Sequence, residues 1–380
     1  MTDFFLYDQL TWPEINALPR NTPLILLLGE GYSREALANA LKNPSRIGLL
    51  PPIPFGWSGS GLQVSESLLG TQLSNLLASL RDDGFLQVFT ITPQEPDPCL
   101  RVEHIALPRG TRIPPSDIPL DCDRSKAVLI PIGHTEQHGY HLPMSTDTLI
   151  IDAISQGVAS AIPDQAVSLP VMPYGVSTHR SSYTGTMNVG GRAFEDFWMG
   201  IIDSLVERGF DRFYFLSGHG GNCSFLVNVV KYAGERHPRI FCATTWLYLS
   251  GPLGIESLQK HRLSPIGGMG HACELETSLI LHLRPDLVHM DRVVDETDFI
   301  STPSYIMDWV EGGPLIANPP WNDETLTGAY GAGSLAIAAH GKIWLEAAIA
   351  EKISHVAEIH EQQNRREFRR QSGYGLWGKK

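Results

Sequence analysis

Short apolar runs alternate along this chain with longer stretches in which apolar positions recur every three or four residues. Runs at 127–132, 213–216 and 240–243 are short and rich in β-formers, and each is followed by an amphipathic stretch. That alternation is the pattern of a parallel sheet covered by helices, so the fold class read from periodicity is α/β. Helices are expected over 148–161, 192–207, 225–235, 276–283 and 333–366, with further strands at 86–91, 100–107 and 167–172.

Between residues 92 and 123 prolines at 93, 96, 98, 108, 114, 115 and 119 interrupt regular structure. A domain boundary is expected there, dividing 1–120 from 121–380. Residues 47–91 and 168–216 share an order of signals. Pro-Phe-Gly-Trp-Ser in the first answers Pro-Tyr-Gly-Val-Ser in the second, and Ser79-Leu80 with Gly84-Phe85 answers Ser204-Leu205 with Gly209-Phe210. The amino-terminal part reads either as a degenerate partial repeat or as a generic strand-helix-strand unit, and both readings stay open.

At 380 residues and 41.9 kDa, with 42% hydrophobic and 18% charged residues, the chain has material for a substantial core and too little charge for disorder. No apolar run approaches the ~20 residues of a membrane span. Five cysteines without CxxC spacing and a Met-Thr-Asp start without a basic region lead us to expect a reducing cytoplasm. A formal charge of −12 argues against nucleic acid or an anionic lipid surface as partner. The basic tail from Arg365 reads as a solvated helix end.

Three clusters carry the chemistry. The first, Gly133-His134-Thr135-Glu136-Gln137-His138-Gly139-Tyr140-His141 with Asp147, follows a buried strand, where ligand crevices open in α/β sheets. Glu136 and His138 share a side if the segment is extended, and such oxygen and imidazole donors suit Zn, Mn or Fe(II). The second, Ser217-Gly218-His219-Gly220-Gly221-Asn222, has His219 as its one strong metal donor and lacks the Lys-Ser/Thr of a phosphate loop. The third, His271-Ala272-Cys273-Glu274-Leu275-Glu276, opens an apolar helix on which Glu274 and Glu276 stand about 200° apart, so their roles should differ. Tyr174, Ser177, His179, Arg180 and Tyr183 follow another strand and are candidates for the mouth of the site; Arg180 suits a carboxylate or phosphate. Trp246 and Trp309 are candidate aromatic covers over a flat ring, alongside plain core packing.

Taken together, Glu136-Gln-His138-Gly-x-His141 with Asp147, Gly218-His219-Gly-Gly-Asn222 and His271-Ala-x-Glu274-x-Glu276-Thr-Ser resemble the creatininase (creatinine amidohydrolase) family, over roughly 125–350. Trp12-Pro-Glu-Ile resembles the family's amino-terminal segment. The resemblance implies a three-layer α/β/α sandwich with a mostly parallel sheet, and two divalent metals (Zn, Mn or Fe) sharing Asp147. One would be held with Glu136 and His219, the other with His138. Creatininase supplies a further acid where this chain has Gly221, and Glu274 is the expected substitute. His271, positioned by Glu276, is the implied acid-base pair. Tyr174, His179, Arg180 and Trp246 are the expected substrate contacts.

The implied reaction is cleavage of a C–N bond in a small cyclic amide or formamide by a metal-bridged hydroxide. The alternatives are C–C hydrolysis of a cyclic diketone, a phosphoesterase, and a non-catalytic metal-binding scaffold, the last disfavoured by the survival of His271 and Glu276. A small-molecule substrate and a homo-oligomer are expected.

Overall fold

The computed structural model describes residues 2–91, 104–105, 118–178, 182–309 and 312–373. In chain order its strands are β1 (Asp3–Leu6), β2 (Leu24–Leu27), β3 (Arg46–Leu49), β4 (Val88–Ile91), β5 (His104–Ile105), β6 (Ala127–Ile132), β7 (Ala166–Ser168), β8 (Arg212–Ser217), β9 (Phe241–Thr244), β10 (Met269–His271) and β11 (Tyr330–Gly331). The helices are α1 (Trp12–Asn16), α2 (Arg34–Ala40), α3 (Glu66–Asp82), α4 (Thr146–Ala161), α5 (Gly191–Glu207), α6 (Gly220–Arg236), α7 (Pro252–His261), α8 (Glu274–Leu283) and α9 (Ala338–Gln371).

Two parallel sheets result, β1-β3-β2-β4-β5 and β7-β6-β8-β9, with a small antiparallel pair β10-β11. Residues of β6 alternate between two cores, as the two-residue period of a strand requires. Val128, Ile130 and Ile132 join one, while Ala127 and Leu129 join the other. The first core holds Phe194, Phe197, Trp198 and Ile201 of α5 and continues through Leu69, Leu73, Leu76 and Leu80 of α3 to Leu24 and Leu26 of β2. The second packs Ile150, Ile151 and Ile154 of α4 against Leu275, Leu279 and Trp344 of α8 and α9. Helices thus cover both faces of the second sheet, giving the α/β class that the periodicity predicts and the sandwich that the resemblance implies.

Burying side chains such as Phe194 and Phe197, both fully enclosed, contributes on the order of 1.5–3 kcal/mol each. No helix among the described residues is long and apolar enough to cross a membrane.

What matters for the site is where the strands end. The carboxyl ends of β6 and β8 lie side by side, with Ile132 paired to Ser217. Gly133 and Gly218, which follow them, open two loops onto a common crevice.

Candidate metal centre

β6 is buried along its whole length, and the chain leaves it at Gly133 to run as a loop to α4, whose first turn carries Asp147. Glu136, His138 and His134 on that loop are fully buried, as is Asp147 at 1% exposure. His138 Nε2 stands 3.1 Å from Asp147 Oδ1. From β8 comes His219, the residue immediately before α6; its Nδ1 lies 3.0 Å from Glu136 Oε1 and 3.3 Å from Asp147 Oδ2. β10 ends on His271, whose Nδ1 is 3.9 Å from Glu136 Oε1. Glu276, in the first turn of α8, brings Oε1 to 3.9 Å from His138 Nε2. Three overlapping triads have donor atoms within 4.8 Å of one another: His134, Glu136 and His219; Glu136, His138 and His271; and His138, Asp147 and Glu276.

The rings are oriented from outside the cluster. His138 Nδ1 sits 3.2 Å from the Glu136 carbonyl and His219 Nε2 sits 3.0 Å from the Val176 carbonyl. A carbonyl only accepts, so the proton of each neutral ring is held on its outer nitrogen and the inner lone pair faces the carboxylates. His134 is arranged the other way. Its Nδ1 accepts from the Gly175 N–H at 2.9 Å, which leaves Nε2–H directed toward Glu136 Oε2, 3.8 Å away, with the ring stacked on His219 at 4.4 Å. Ser177 Oγ donates to the same Glu136 oxygen at 3.1 Å. Burial pulls the His138 pKa down, but Asp147 and Glu276 outweigh it and hold the ring above the usual histidine value. Burial likewise raises Asp147, and His138 and His219 more than reverse this, leaving the carboxyl well below its usual range.

The donor set fits divalent cations. Glu136, Asp147 and Glu276 are buried together against imidazole nitrogens, and Asp147 Oδ2, enclosed by protein, has His219 Nδ1 3.3 Å away. Buried carboxylate oxygens of this kind are stabilised by pairing or by a cation.

Glu274 stands apart from the cluster. α8 begins at Glu274 itself, so the two acids diverge around the helix, and Glu274 accepts from the Leu263 and Ser264 N–H groups at 2.9 and 2.7 Å. Glu276 occupies the place expected of Glu274. Its Oε2 accepts from the Ala272 N–H and lies 4.0 Å from His271 Nδ1, too far for a hydrogen bond. Gln137 holds the His271 ring instead: its carbonyl receives Nε2 at 2.8 Å, and its side chain donates to the Gly328 carbonyl at 2.9 Å. Gly221 is closed to any side chain, because a Cβ there would stand 2.2 Å from the Val176 carbonyl and 2.4 Å from His219 Nε2. Gly220 and Gly221 lie in the first turn of α6 and not in a glycine loop.

A cavity of about 390 Å³ opens over Asp147, His219, His271 and Glu276. Its walls include Phe225, Trp246, Tyr305, Met307, Trp309 and Trp321. Trp246 is 58% exposed, so it serves as rim and not as core. Tyr174 is not among the lining residues; it is buried, and its hydroxyl donates to the Pro51 carbonyl at 2.6 Å. Tyr183 is likewise occupied, donating to the Thr325 carbonyl at 2.6 Å. His141 is turned to Thr277 Oγ1 at 2.9 Å, and burial lowers its pKa to about 4. His179 and Arg180 lie outside the described residues. His134 and Gln137 are the contributors to which sequence reasoning attached no chemistry; their place in the first cluster was the available signal.

The family model described as creatinine amidohydrolase (Creatininase) matches residues 118–356. Creatinine amidohydrolase of Pseudomonas putida is 32% identical over 184 residues, covering 44% of this chain and 68% of its own. The mycofactocin precursor peptide peptidase of Mycolicibacterium smegmatis is 33% identical over 210 residues, covering 50% and 70%. A solved structure described as creatininase with Mn superposes with a TM-score of 0.51 at 25% identity, covering 62% of this chain and 91% of that one.

Proposed function

The chain belongs to the creatininase family, and from that premise we propose that it is a metal-dependent hydrolase that cleaves the C–N bond of a small cyclic amide or formamide. The observation that carries the proposal is the convergence of Glu136, His138, Asp147, His219 and Glu276 beneath a cavity that also presents His271. Relatives named as an amidohydrolase and as a peptidase support amide cleavage as the reaction class.

In this reading Glu136, Asp147 and His219 would hold one divalent ion, and His138, Asp147 and Glu276 would hold a second. Such ions supply Lewis-acid polarisation of a carbonyl and a water activated near neutral pH. The remaining work falls to the protein. Carbonyls of residues 136 and 176 fix the tautomers of His138 and His219, so both rings are preorganised as neutral donors. Ser177 donates to Glu136 Oε2 and confines its carboxylate, while the His134 ring packs beside it with Nε2 3.8 Å from the same oxygen. His271 is anchored through Nε2, so Nδ1 is the atom that takes a proton and returns it to the leaving nitrogen. The aromatic wall, Trp246 and Trp309 in particular, offers a flat ring a stacking surface.

The test is turnover of the chain loaded with zinc or manganese on a panel of lactams, formamides, cyclic diketones and phosphate esters. Hydrolysis of lactams or formamides, abolished by a chelator and restored by metal, is the expected result. Preference for diketones or phosphate esters, or inertness to all four with metal bound, would reject the assignment.

A further inference from the structure

The amino-terminal sheet repeats the second sheet's architecture. β3-β2-β4-β5 has the same parallel order as β7-β6-β8-β9, and α3 precedes β4 as α5 precedes β8. Hydrogen bonds repeat as well. Leu50 N donates to the Ile25 carbonyl as Leu169 N does to Leu129, each at 2.9 Å. Ile53 N reaches the Leu27 carbonyl at 2.9 Å, as Met172 N reaches Pro131 at 3.0 Å. Gly29 N reaches the Ile53 carbonyl at 2.9 Å, as Gly133 N reaches Met172 at 2.9 Å. The bridge Leu28–Ile53 corresponds to Ile132–Met172. Helix ends agree too, with Phe85 N on the Leu80 carbonyl at 3.1 Å and Phe210 N on Leu205 at 3.2 Å. Chance similarity of two strand-helix-strand units predicts a shared order; it does not predict matching bonds beyond the strand ends at the positions where the sequences also match.

Where the second unit continues from Gly133 into Glu136 and His138, the first continues from Gly29 into Glu30-Gly31-Tyr32 and then α2, without histidine. It bonds elsewhere, to residues 174–178 and 182–189 of its counterpart. The Pro51 carbonyl accepts from Tyr174, Asn75 Nδ2 donates to the Val189 carbonyl at 2.6 Å, Ser79 Oγ accepts from Asn188 N at 3.1 Å, and Asp83 Oδ2 accepts from Gly185 N at 2.6 Å. The same segment orients the cluster. Asn188 Oδ1 accepts from Ser177 N at 3.3 Å, and Ser177 Oγ bonds Glu136. Val189 N bonds the Gly175 carbonyl at 3.1 Å, Gly175 N bonds His134, and the Val176 carbonyl holds His219.

We propose that residues 24–91 are a copy of the metal-bearing unit that lacks its ligands and now serves in cis as the platform for residues 174–178 and 182–189, with Asn75 and Ser79 as positioning residues for Glu136 and His219. Two short relays result, Ser79 to Asn188 to Ser177 to Glu136, and Asn75 to Val189 to Gly175, whose N–H holds His134 and whose neighbour Val176 holds His219 through its carbonyl. The proposal rests on the metal-centre reading above.

Its test measures zinc affinity of the full-length chain by competition with a chromophoric chelator, together with the melting temperature. Removing a partner adjacent to a ligand typically costs about 10–100-fold in affinity; one bond further out, Asn75→Ala and Ser79→Ala should each cost about 3–10-fold. Ser79→Thr, which keeps the hydroxyl, should bind as the wild type does. Leu37→Ala, in the separate core of α2, should lower the melting temperature and leave affinity unchanged. Wild-type affinity in both alanine variants, or an equal loss in Leu37→Ala, overturns the platform role alone. Failure of the wild-type chain to bind zinc overturns the metal-centre reading and this inference with it.

Discussion

Glu274 and Glu276 are two positions apart and both buried, at 0% and 3% exposure, yet one braces a loop and the other joins the cluster. Their substitutions should separate cleanly. Glu276→Gln removes a charged donor and should lower metal content and turnover together, with little change in melting temperature of the metal-free chain. Glu274→Gln weakens one charge-assisted hydrogen bond to a backbone N–H and removes the other, since the amide nitrogen cannot accept, and should cost about 1–3 kcal/mol of stability with metal content intact, as read by denaturant unfolding and elemental analysis. His271→Asn tests the remaining role. It should keep the metals and lower kcat by about 10²–10⁴-fold, the span of general acid-base catalysis. Metal loss in that variant would assign His271 to the ligand set.

Elements place these residues. α4, α6 and α8 each begin at the crevice, so Asp147, His219 and Glu276 come from a helix start or the residue before one. Much of this was legible in sequence. The run 127–132 is β6 to the residue, and 192–207 differs from α5 by one position, because burial on both faces and a strong 3.6-residue period leave few alternatives. That Glu136 and His138 share a side was legible from their spacing, and their meeting with Asp147 and His219 was legible through the resemblance to the creatininase motifs. The split between Glu274 and Glu276 was not, because it depends on the residue at which α8 starts, and that is set by tertiary contacts to Leu263 and Ser264. Tyr174 misled for a similar reason: its partner, Pro51, is 123 residues away.

α3 also gives a pH prediction at this scale. Asp83, just past its end, has its pKa raised to about 6 by burial. A carboxyl with a raised folded-state pKa binds its proton more tightly folded than unfolded, so its contribution is complete below the ordinary carboxylate pKa and is lost as pH rises through about 6. Asp83→Asn removes that dependence. Its melting temperature relative to wild type should therefore climb between pH 5 and pH 7, and a difference that stays flat would contradict the burial argument.

For the whole molecule, the amino-terminal sheet and the second sheet share one continuous core, and the cavity over the cluster is walled in part by Tyr305, Met307, Trp309, Trp321 and Tyr330. A volume near 390 Å³ lies within the range of small-molecule sites, consistent with a substrate enclosed against Trp246 and Trp309 while its carbonyl meets the cluster. All of this depends on the buried acids and imidazoles being a cation site. The most direct measurement is anomalous diffraction from crystals grown with zinc or manganese. We expect metal peaks about 2.0–2.2 Å from donor atoms of Asp147, with Glu136 and His219 on one side and His138 and Glu276 on the other. Crystals whose anomalous maps are empty there, with the carboxylates and rings satisfied by one another and by water, would contradict the account.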